Sequence, residues 1–540
     1  MFVKELPGID LLRDPLANRG TGFSLEERER LGLTGILPPR VEQIEAQVAR
    51  TLAIVRAKSL PIDKYCHLAA LQNENETLFF RTLIDNLEAL VPIVYTPTVG
   101  QACLEWSRIY ERPRGLYITP RERGHIRDVL RRWPQRTVGV IVVTDGGRIL
   151  GLGDLGANGM GIPIGKLALY VACAGVDPGL CLPVMLDVGT NNVSVRDDAF
   201  YLGVRAPRLA VAAYDELVEE FVAATQEVFP GVLVQFEDFA NADAFRLLAR
   251  YRERVCSFND DIQGTGAMGL AGIQTALRLT GARLADQRLL FFGSGEANIG
   301  IGTILVAALQ RAGLSEADAR KRCWFIDSKG LVTTARTDLA DHKRCFARDQ
   351  APVADLLAAV ETIRPTVLVG ASGKPGAFSE PVLAAMARLN DRPVIFALSN
   401  PTSKAECTAE QAYRATHGRA VFAGGSPFAP VTVDGKTHVA GQSNNSYVFP
   451  GVGLGVLASG ATRVSDEMYF AAAEALGGQV TEDDLALGRI FPPATRMREV
   501  AAAVATAVAQ VAYAQGLATR NRSADVAGHI RAHMYRPSYD

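Results

Sequence analysis

The chain has 540 residues, 48% of them hydrophobic, with 57 lysines and arginines against 58 aspartates and glutamates. That length exceeds one compact core and points to two or three domains, and the charge balance leaves no basic surplus for nucleic acid or an anionic membrane surface. No apolar run is long enough to span a bilayer, the N-terminal MFVKELPGIDLLRDP lacks a signal-peptide core, and the cysteines at 66, 103, 173, 181, 256, 323, 345 and 407 form no C-x-x-C pair. A soluble protein of a reducing compartment, the cytoplasm, is expected.

Residues 1–130 read as mostly helical. Ser24-Leu-Glu-Glu is a capping-box start, and helical patterns cover 41–58 and 65–90. The run VPIVYTPTVG at 91–100 has two prolines bracketing Tyr95 and predicts a rigid extended loop. A tyrosine there either packs with its hydroxyl satisfied or presents that hydroxyl to chemistry.

Residues 138–144 (VGVIVVT) predict a buried strand, followed by the Asp145-Gly-Gly turn and Arg148. Gly151-Leu-Gly-Asp-Leu-Gly156 matches G-x-G-x-x-G, but a dinucleotide fingerprint opens a helix directly, and here more Gly and Pro follow. A phosphate-binding P-loop is excluded too, because Met160 and Leu167 occupy its glycine and Ser/Thr positions. What remains is a glycine-rich approach delivering Lys166 to a helix N-terminus near 165. The positive helix end would lower the lysine pKa, as a base requires; the alternative is a solvated helix-start lysine. Residues 182–186 predict a strand ending in Asp187, and 215–229 an amphipathic helix.

The segment 235–266, QFEDFANADAFRLLARYRERVCSFNDDIQGTG, carries two acidic pairs, Glu237-Asp238 and Asp260-Asp261. Each follows a short apolar run, 232–236 or 255–258, and a helical pattern at 242–254 joins them. Strands linked by such a crossover lie side by side and parallel, so both pairs emerge at the C-terminal sheet edge, where open α/β sheets bind ligands. Carboxylates gathered there suit Mg²⁺ or Mn²⁺; the alternative is solvated loop acids or helix caps.

Beyond Gly266, helix 268–280 and strand 288–292 lead into Gly293-Ser-Gly-Glu-Ala-Asn-Ile-Gly300, then a helix to about 310 and a strand 323–326 ending in Asp327. This is the strand–glycine turn–helix–strand order of a dinucleotide site, with Gly293 making the turn and Gly295 exposing backbone amides to a pyrophosphate. Asn298 replaces the usual third glycine, and a tight turn without ligand is the alternative. Strands at 366–370, 394–398 and 420–423 each end in small polar residues, Gly441-Gln-Ser-Asn-Asn-Ser446 is a polar loop, and alanine-rich helix runs from 449 to about 516 before a polar tail. His529 and His533 in that tail read as surface residues.

The expected class is α/β. A helical region at 1–130 precedes an α/β domain at 131–265, completed by C-terminal helices at 447–540. A doubly wound, Rossmann-type dinucleotide-binding domain occupies 266–446.

Taken together, VPIVYTPTVG, TDGGRILGLGDLGANGMGIPIGK, VQFEDFANADAFRLL, FNDDIQGTG, FFGSGEANIGIG, ALSNPT and GQSNNSYVFPGVGLG resemble the malic enzymes in family order over most of the chain. The resemblance implies oxidative decarboxylation of L-malate to pyruvate and CO₂ with NAD⁺ or NADP⁺ and Mn²⁺ or Mg²⁺, in a homodimer or homotetramer. It implies Tyr95 as general acid, Lys166 as general base and Asp260 as support for Lys166. Glu237, Asp238 and Asp261 would hold the metal, Arg148 would grip a malate carboxylate, and Asn400 and Asn444 would touch substrate or nicotinamide. The cofactor would meet Arg148, Asp261, Gly293, Gly295, Glu296, Ala297, Asp327, Ser328, Lys329, Lys343 and Asn400. Asp327 alone would favour NAD⁺. The Asp327-Ser-Lys-Gly run resembles NADP-using members, and with Lys343 and Arg344 it tips the expectation to NADP⁺ at least as well as NAD⁺. Malolactic chemistry, yielding lactate, and a dinucleotide-binding regulator without catalysis are the competing readings.

Overall fold

The computed structural model describes residues 8–539; residues 1–7, where the N-terminal reading begins, and residue 540 lie outside them. The chain forms two compact units. One takes the residues up to Gly146, Leu155–Pro230 and the residues from His533 on; the other takes Gly147–Asp154 and Gly231–Ala532.

The first unit opens with helices, as expected. Ser24 and Glu27 form the capping box on helix Leu25–Arg30. The pattern read as one helix over 65–90 is three, Pro61–Glu74, Glu76–Asp85 and Leu87–Val94. Asn75 breaks the first junction by turning its side chain back to accept from the Leu78 N–H at 2.9 Å, the competition with the backbone that asparagine favours. The loop expected around Tyr95 is absent: Tyr95 closes helix Leu87–Val94, and Thr98–Leu104 starts a new helix three residues on. The Thr98 hydroxyl donates to the Pro92 carbonyl at 2.7 Å across that corner, a side-chain bond that holds the turn against the extended preference of a Val/Ile/Pro run.

Strands β1 (Leu116–Ile118), β2 (Val140–Thr144) and β3 (Cys181–Leu186) run parallel, with β3 paired to both of the others. Helix Gly161–Ala174 crosses between β2 and β3, entered through a 3₁₀ turn at Gly156–Met160 and ended by Gly175 at φ +65°. It begins earlier than expected, which places Lys166 in its second turn and not at its N-terminus. The last residues are not a loose polar tail. Tyr535 N–H donates to the Gly175 carbonyl at 2.6 Å, while the Tyr539 hydroxyl donates to Gln47 at 2.6 Å and accepts from Asn75 at 2.8 Å.

In the second unit, β4 (Leu233–Phe236) and β5 (Ser257–Asn259) pair in parallel around helix Asn241–Tyr251, with Phe236 opposite Asn259. A second sheet contains β6 (Leu289–Phe292), β7 (Cys323–Asp327), β8 (Gly330–Leu331), β9 (Val367–Gly370), β10 (Val394–Ala397), β11 (Val421–Gly424) and, beyond the β12–β13 hairpin (Val431–Val433, Lys436–His438), β14 (Gly441–Gln442). Among the described residues its order is β14-β11-β10-β9-β6-β7-β8, parallel but for β8. The chain leaves β6 toward β7 and returns on the other side at β9. The β6/β9 boundary is therefore the point where winding reverses and a doubly wound sheet opens its ligand crevice. This is the expected Rossmann-type architecture.

The division between units departs from the expected boundaries. Residues 231–265 and the C-terminal helices belong with the dinucleotide sheet. Helix Thr265–Thr280 is the reason: Arg278 binds the Val480 carbonyl at 3.1 Å and the Glu482 carboxylate at 2.7 Å, and Gly272 lies against the Phe491 ring. The alanine-rich tract is also several helices, chiefly Phe449–Ser459, Asp466–Gly477 and Met497–Ala514. His529 and His533 are exposed on helix Val526–His533.

Candidate active site

Because β4 and β5 are parallel neighbours, the acidic pairs that follow them leave from one edge. Glu237, Asp238 and Asp261 each offer a carboxylate oxygen, and these oxygens lie within 4.8 Å of one another. Asp238 sits at φ +53°, a left-handed conformation uncommon outside glycine. Its own N–H donates to Asp261 at 2.8 Å, its carboxylate accepts from the Leu150 N–H at 3.1 Å, and its carbonyl accepts from the Arg148 N–H at 3.1 Å. Gln235 donates to Glu237 at 2.8 Å. Asp260 and Asp261 open a π-helical turn, Asp260–Gly264, pinned by Asn259, whose side chain accepts from the Ile262 N–H. Such turns recur at functional sites. Asp260 is fully buried beside the three-carboxylate set.

The donor set fits a hard divalent cation. Three carboxylates at this spacing can close on one ion with bonds of about 2.1 Å, leaving positions for water and substrate, as Mg²⁺ and Mn²⁺ prefer. The set contains no thiolate or imidazole that would select a softer metal.

Arg148 lies between this cluster and the glycine turn. Its Nη1 donates to Asn241 at 2.5 Å and to Glu296 at 3.2 Å, both guanidinium nitrogens come within 3.5 Å of a Cβ built on Gly295, and its side chain keeps 41% exposure. Glu296 is buried. That burial, and next the neighbouring Asp261 charge, hold its pKa well above the ordinary carboxylate range, with Arg148 opposing.

The glycine turn follows β6 into helix Glu296–Arg311 at the reversal point of the sheet. Gly293 has φ +98°, and a Cβ there would meet the Ala371 carbonyl at 2.8 Å. Asn298, the departure from the three-glycine pattern, ties the turn shut: its amide donates to the carbonyls of Phe292 and Gly293 at 2.9 and 3.0 Å. The missing close approach is supplied by Gly300, where a Cβ would run into the Ile262 carbonyl. That contact seats the acidic turn against the dinucleotide helix. Ala297 follows Glu296 in its first turn.

Asp327 ends β7 and is engaged by cations. Arg336 reaches it at 2.8 and 3.2 Å, Lys343 at 3.1 Å, and the Lys329 N–H at 3.0 Å. Burial pushes its pKa up, but these bonds outweigh it and hold the carboxyl below its ordinary value. Ser328 lies in the turn beyond. Lys329 Nζ reaches out to Asp338 at 2.8 Å, and Arg344 turns away to Asp341 at 3.3 Å. The Arg336–Asp327 ion pair has no signal in the sequence, because a pair across nine residues has no local pattern. Next to Lys343, His342 stacks on Phe245 with ring centroids 4.3 Å apart. On the β10 side, the Asn400 side-chain oxygen accepts from Ser426 at 2.9 Å, and the buried Asn444 caps the Asn445–Tyr447 turn through Ser446 N–H at 2.9 Å.

In the first unit, Tyr95 and Lys166 are brought together and both are buried, with the ammonium 5.4 Å from the Tyr95 ring centre. A lysine enclosed this way faces an aromatic quadrupole that favours its charge and a burial that opposes it. The structure thus collects the expected residues into two groups: Tyr95 with Lys166 in one unit, and the carboxylates, Arg148, glycine turn and Asp327 in the other.

Comparison with known proteins gives concordant results. A family model described as "Malic enzyme, N-terminal domain" matches residues 72–252, and "Malic enzyme, NAD binding domain" matches 262–513. The chain is 49% identical over 536 residues to the "NADP-dependent malic enzyme, chloroplastic" of Oryza sativa subsp. japonica, covering 98% of this chain and 84% of that protein. It is 48% identical to the NADP-dependent malic enzyme of Columba livia, with 99% and 96% covered. Identity is 47% to the mitochondrial NADP-dependent enzyme of Homo sapiens, with 99% and 89% covered. Among solved structures, a malic enzyme from Entamoeba histolytica shares the fold at TM-score 0.60 and 22% identity, over 94% of this chain and 91% of that one. Relatives named chloroplastic and mitochondrial overturn the cytoplasmic reading: charge balance and scattered thiols describe a folded core, not an address.

Proposed function

Because this chain belongs to the malic enzyme family, we propose that it converts L-malate to pyruvate and CO₂ while reducing NADP⁺, with Mn²⁺ or Mg²⁺ held by Glu237, Asp238 and Asp261. The observation that carries the reading is the carboxylate set joined to the glycine turn through one residue, Arg148, whose backbone N–H binds the Asp238 carbonyl and whose guanidinium binds Glu296 beside Gly295.

Removing hydride from C2 of malate requires its hydroxyl proton to leave, and Lys166 takes it. Lys166 is fully buried, and enclosure away from water favours the neutral amine that a base needs. When bound, the divalent ion supplies a Lewis acid at the C2 oxygen, and the dinucleotide a hydride acceptor. Loss of CO₂ from the resulting β-keto acid leaves an enolate, and Tyr95 returns a proton to its C3. Arg148 binds a malate carboxylate, and Asn400 and Asn444 contact substrate or nicotinamide. Arg336 and Lys343 around Asp327 favour a 2′-phosphate over a bare ribose hydroxyl.

We also propose a homo-oligomer, dimer or tetramer. The segment 193–211 exposes Val193, Phe200, Leu202 and Val211 by more than half each, the kind of surface an interface covers.

The test is product analysis with malate, Mn²⁺ and NADP⁺. Pyruvate and NADPH should form in equal amounts. Lactate without NADPH would replace this reading with malolactic chemistry, and no turnover would leave a binding protein.

A further inference from the structure

Glu406 follows strand β10 by nine residues, is fully buried, and is used by nothing in the mechanism above. Its carboxylate accepts from the Ser372 N–H and hydroxyl, both at 2.9 Å, and from the Ser399 N–H at 3.3 Å and hydroxyl at 2.5 Å. No lysine, arginine or histidine among the described residues pairs with it. A buried carboxylate without a counter-ion is costly unless its lone pairs are filled by donors, and here two serines fill them. The backbone agrees: the Glu406 carbonyl accepts from Phe378 N–H at 2.9 Å, and the Ser399 hydroxyl accepts from Gly373 N–H at 2.9 Å. Space has been made for it as well. A Cβ on Gly370, the last residue of β9, would come within 2.7 Å of the Glu406 side chain.

The two serines belong to different loops. Ser372 lies just past β9, in the turn whose Ala371 carbonyl abuts Gly293 of the dinucleotide turn. Ser399 lies just past β10 and immediately precedes Asn400. One carboxylate therefore locks together two loops at the ligand edge of the sheet, on the β9–β10 side of the reversal point. We infer that Glu406 is a positioning residue that fixes Asn400 and the Ser372 turn for the nicotinamide end of the dinucleotide. This rests on the dehydrogenase reading above. With the Asn400 oxygen engaged by Ser426, its side-chain N–H₂ is the group presented to the ligand.

The experiment compares two reactions of the full-length protein: NADP⁺-dependent malate oxidation, and Mn²⁺-dependent decarboxylation of oxaloacetate, which transfers no hydride. Glu406→Gln keeps the shape but aims an N–H₂ at groups that are themselves donors. It should lower kcat for malate oxidation at least tenfold, weaken NADP⁺ binding measured by fluorescence titration, and leave oxaloacetate decarboxylation and Mn²⁺ affinity within about twofold. Ser399→Ala, a milder change, should move the same quantities in the same direction and carries the test if Glu406→Gln does not fold. Parallel loss of both reactions would reduce Glu406 to a structural role, and unchanged malate oxidation would also overturn the inference. If the wild type fails to oxidise malate, the dehydrogenase reading fails by itself; NADP⁺ affinity then decides on Glu406, and equal affinity in both proteins rejects its role.

Discussion

Lys343 reaches Oδ2 of the Asp327 carboxylate at 3.1 Å, and Arg336 spans both of its oxygens at 2.8 and 3.2 Å. An acid at the end of the second dinucleotide strand ordinarily takes the ribose 2′-hydroxyl and repels a 2′-phosphate. Here Asp327 is neutralised before any cofactor arrives. Lys343→Gln should lower kcat/KM for NADP⁺ by about ten- to a hundredfold, ~1.4–2.7 kcal/mol, while NAD⁺ changes by less than about threefold. Arg344→Gln should change neither, because its guanidinium is turned to Asp341. Equal losses with both cofactors in the Lys343 variant would refute this assignment.

The metal set predicts a separable loss. Asp261→Asn should raise the Mn²⁺ dissociation constant by at least about tenfold, read by electron paramagnetic resonance of free Mn²⁺, and abolish turnover at limiting metal. Its circular dichroism should match the wild type, since Asp261 lies at a sheet edge and not in the core. Normal activity at limiting Mn²⁺ would remove Asp261 from the set.

Lys166→Ala and Tyr95→Phe should each cut kcat for malate oxidation by ~10²-fold or more, the scale of positioned acid–base groups. Oxaloacetate decarboxylation skips the alcohol deprotonation, so it should tolerate Lys166→Ala better. Equal sensitivity of the two reactions would take the base role away from Lys166.

Gly300→Ala tests how the acidic turn is seated. The added methyl would run into the Ile262 carbonyl, a clash with backbone that no rotamer relieves. A destabilisation of ~1–3 kcal/mol is expected, with weakened Mn²⁺ binding because the turn carrying Asp261 must move. A variant with unchanged melting temperature and metal affinity would mean that the two elements are not locked together.

His342 gives the cofactor side a pH dependence. Burial lowers its pKa below the ordinary histidine value, Lys343 adds to that, and Asp341 and the Ser294 backbone oppose. A depressed histidine pKa means the unfolded chain takes the proton first. This contribution costs nothing well above pH ~6.5 and erodes stability as pH falls through that value toward the folded pKa. His342→Gln loses the stack on Phe245, so it should melt lower than the wild type at about pH 7.5, with the gap narrowing at about pH 5.5. A gap that widens on acidification would reverse the assigned sign.

The acidic segment was readable because its signal is local: a carboxylate pair closing each of two apolar runs, with one crossover helix between them. The turn at Gly293 was readable for the same reason. Gly161-Ile-Pro163 looks like a breaker and points Lys166 to a helix start, yet a proline in the first turn of a helix lacks only an N–H that has no intrahelical partner there. The corner at Tyr95 is not legible in the sequence, because its conformation is set by a hydroxyl six residues from the carbonyl it meets. Arg336 and Glu406 left no trace in the sequence. Asp327 for the one, and Ser372 and Ser399 for the other, come from other turns and strands, and only the folded sheet edge brings them together.

The clasp of Tyr535 and Tyr539 onto Gly175, Gln47 and Asn75 has a consequence for biosynthesis. The first unit is assembled from residues before Gly231 and from His533 onward, with most of the second unit emerging from the ribosome between them. Its opening helices must wait, unclasped, while some three hundred residues of the other unit are translated. The nascent chain can complete the second unit's sheet before it can close the unit that was started first, because the latch, Tyr535 and Tyr539, is translated only afterwards.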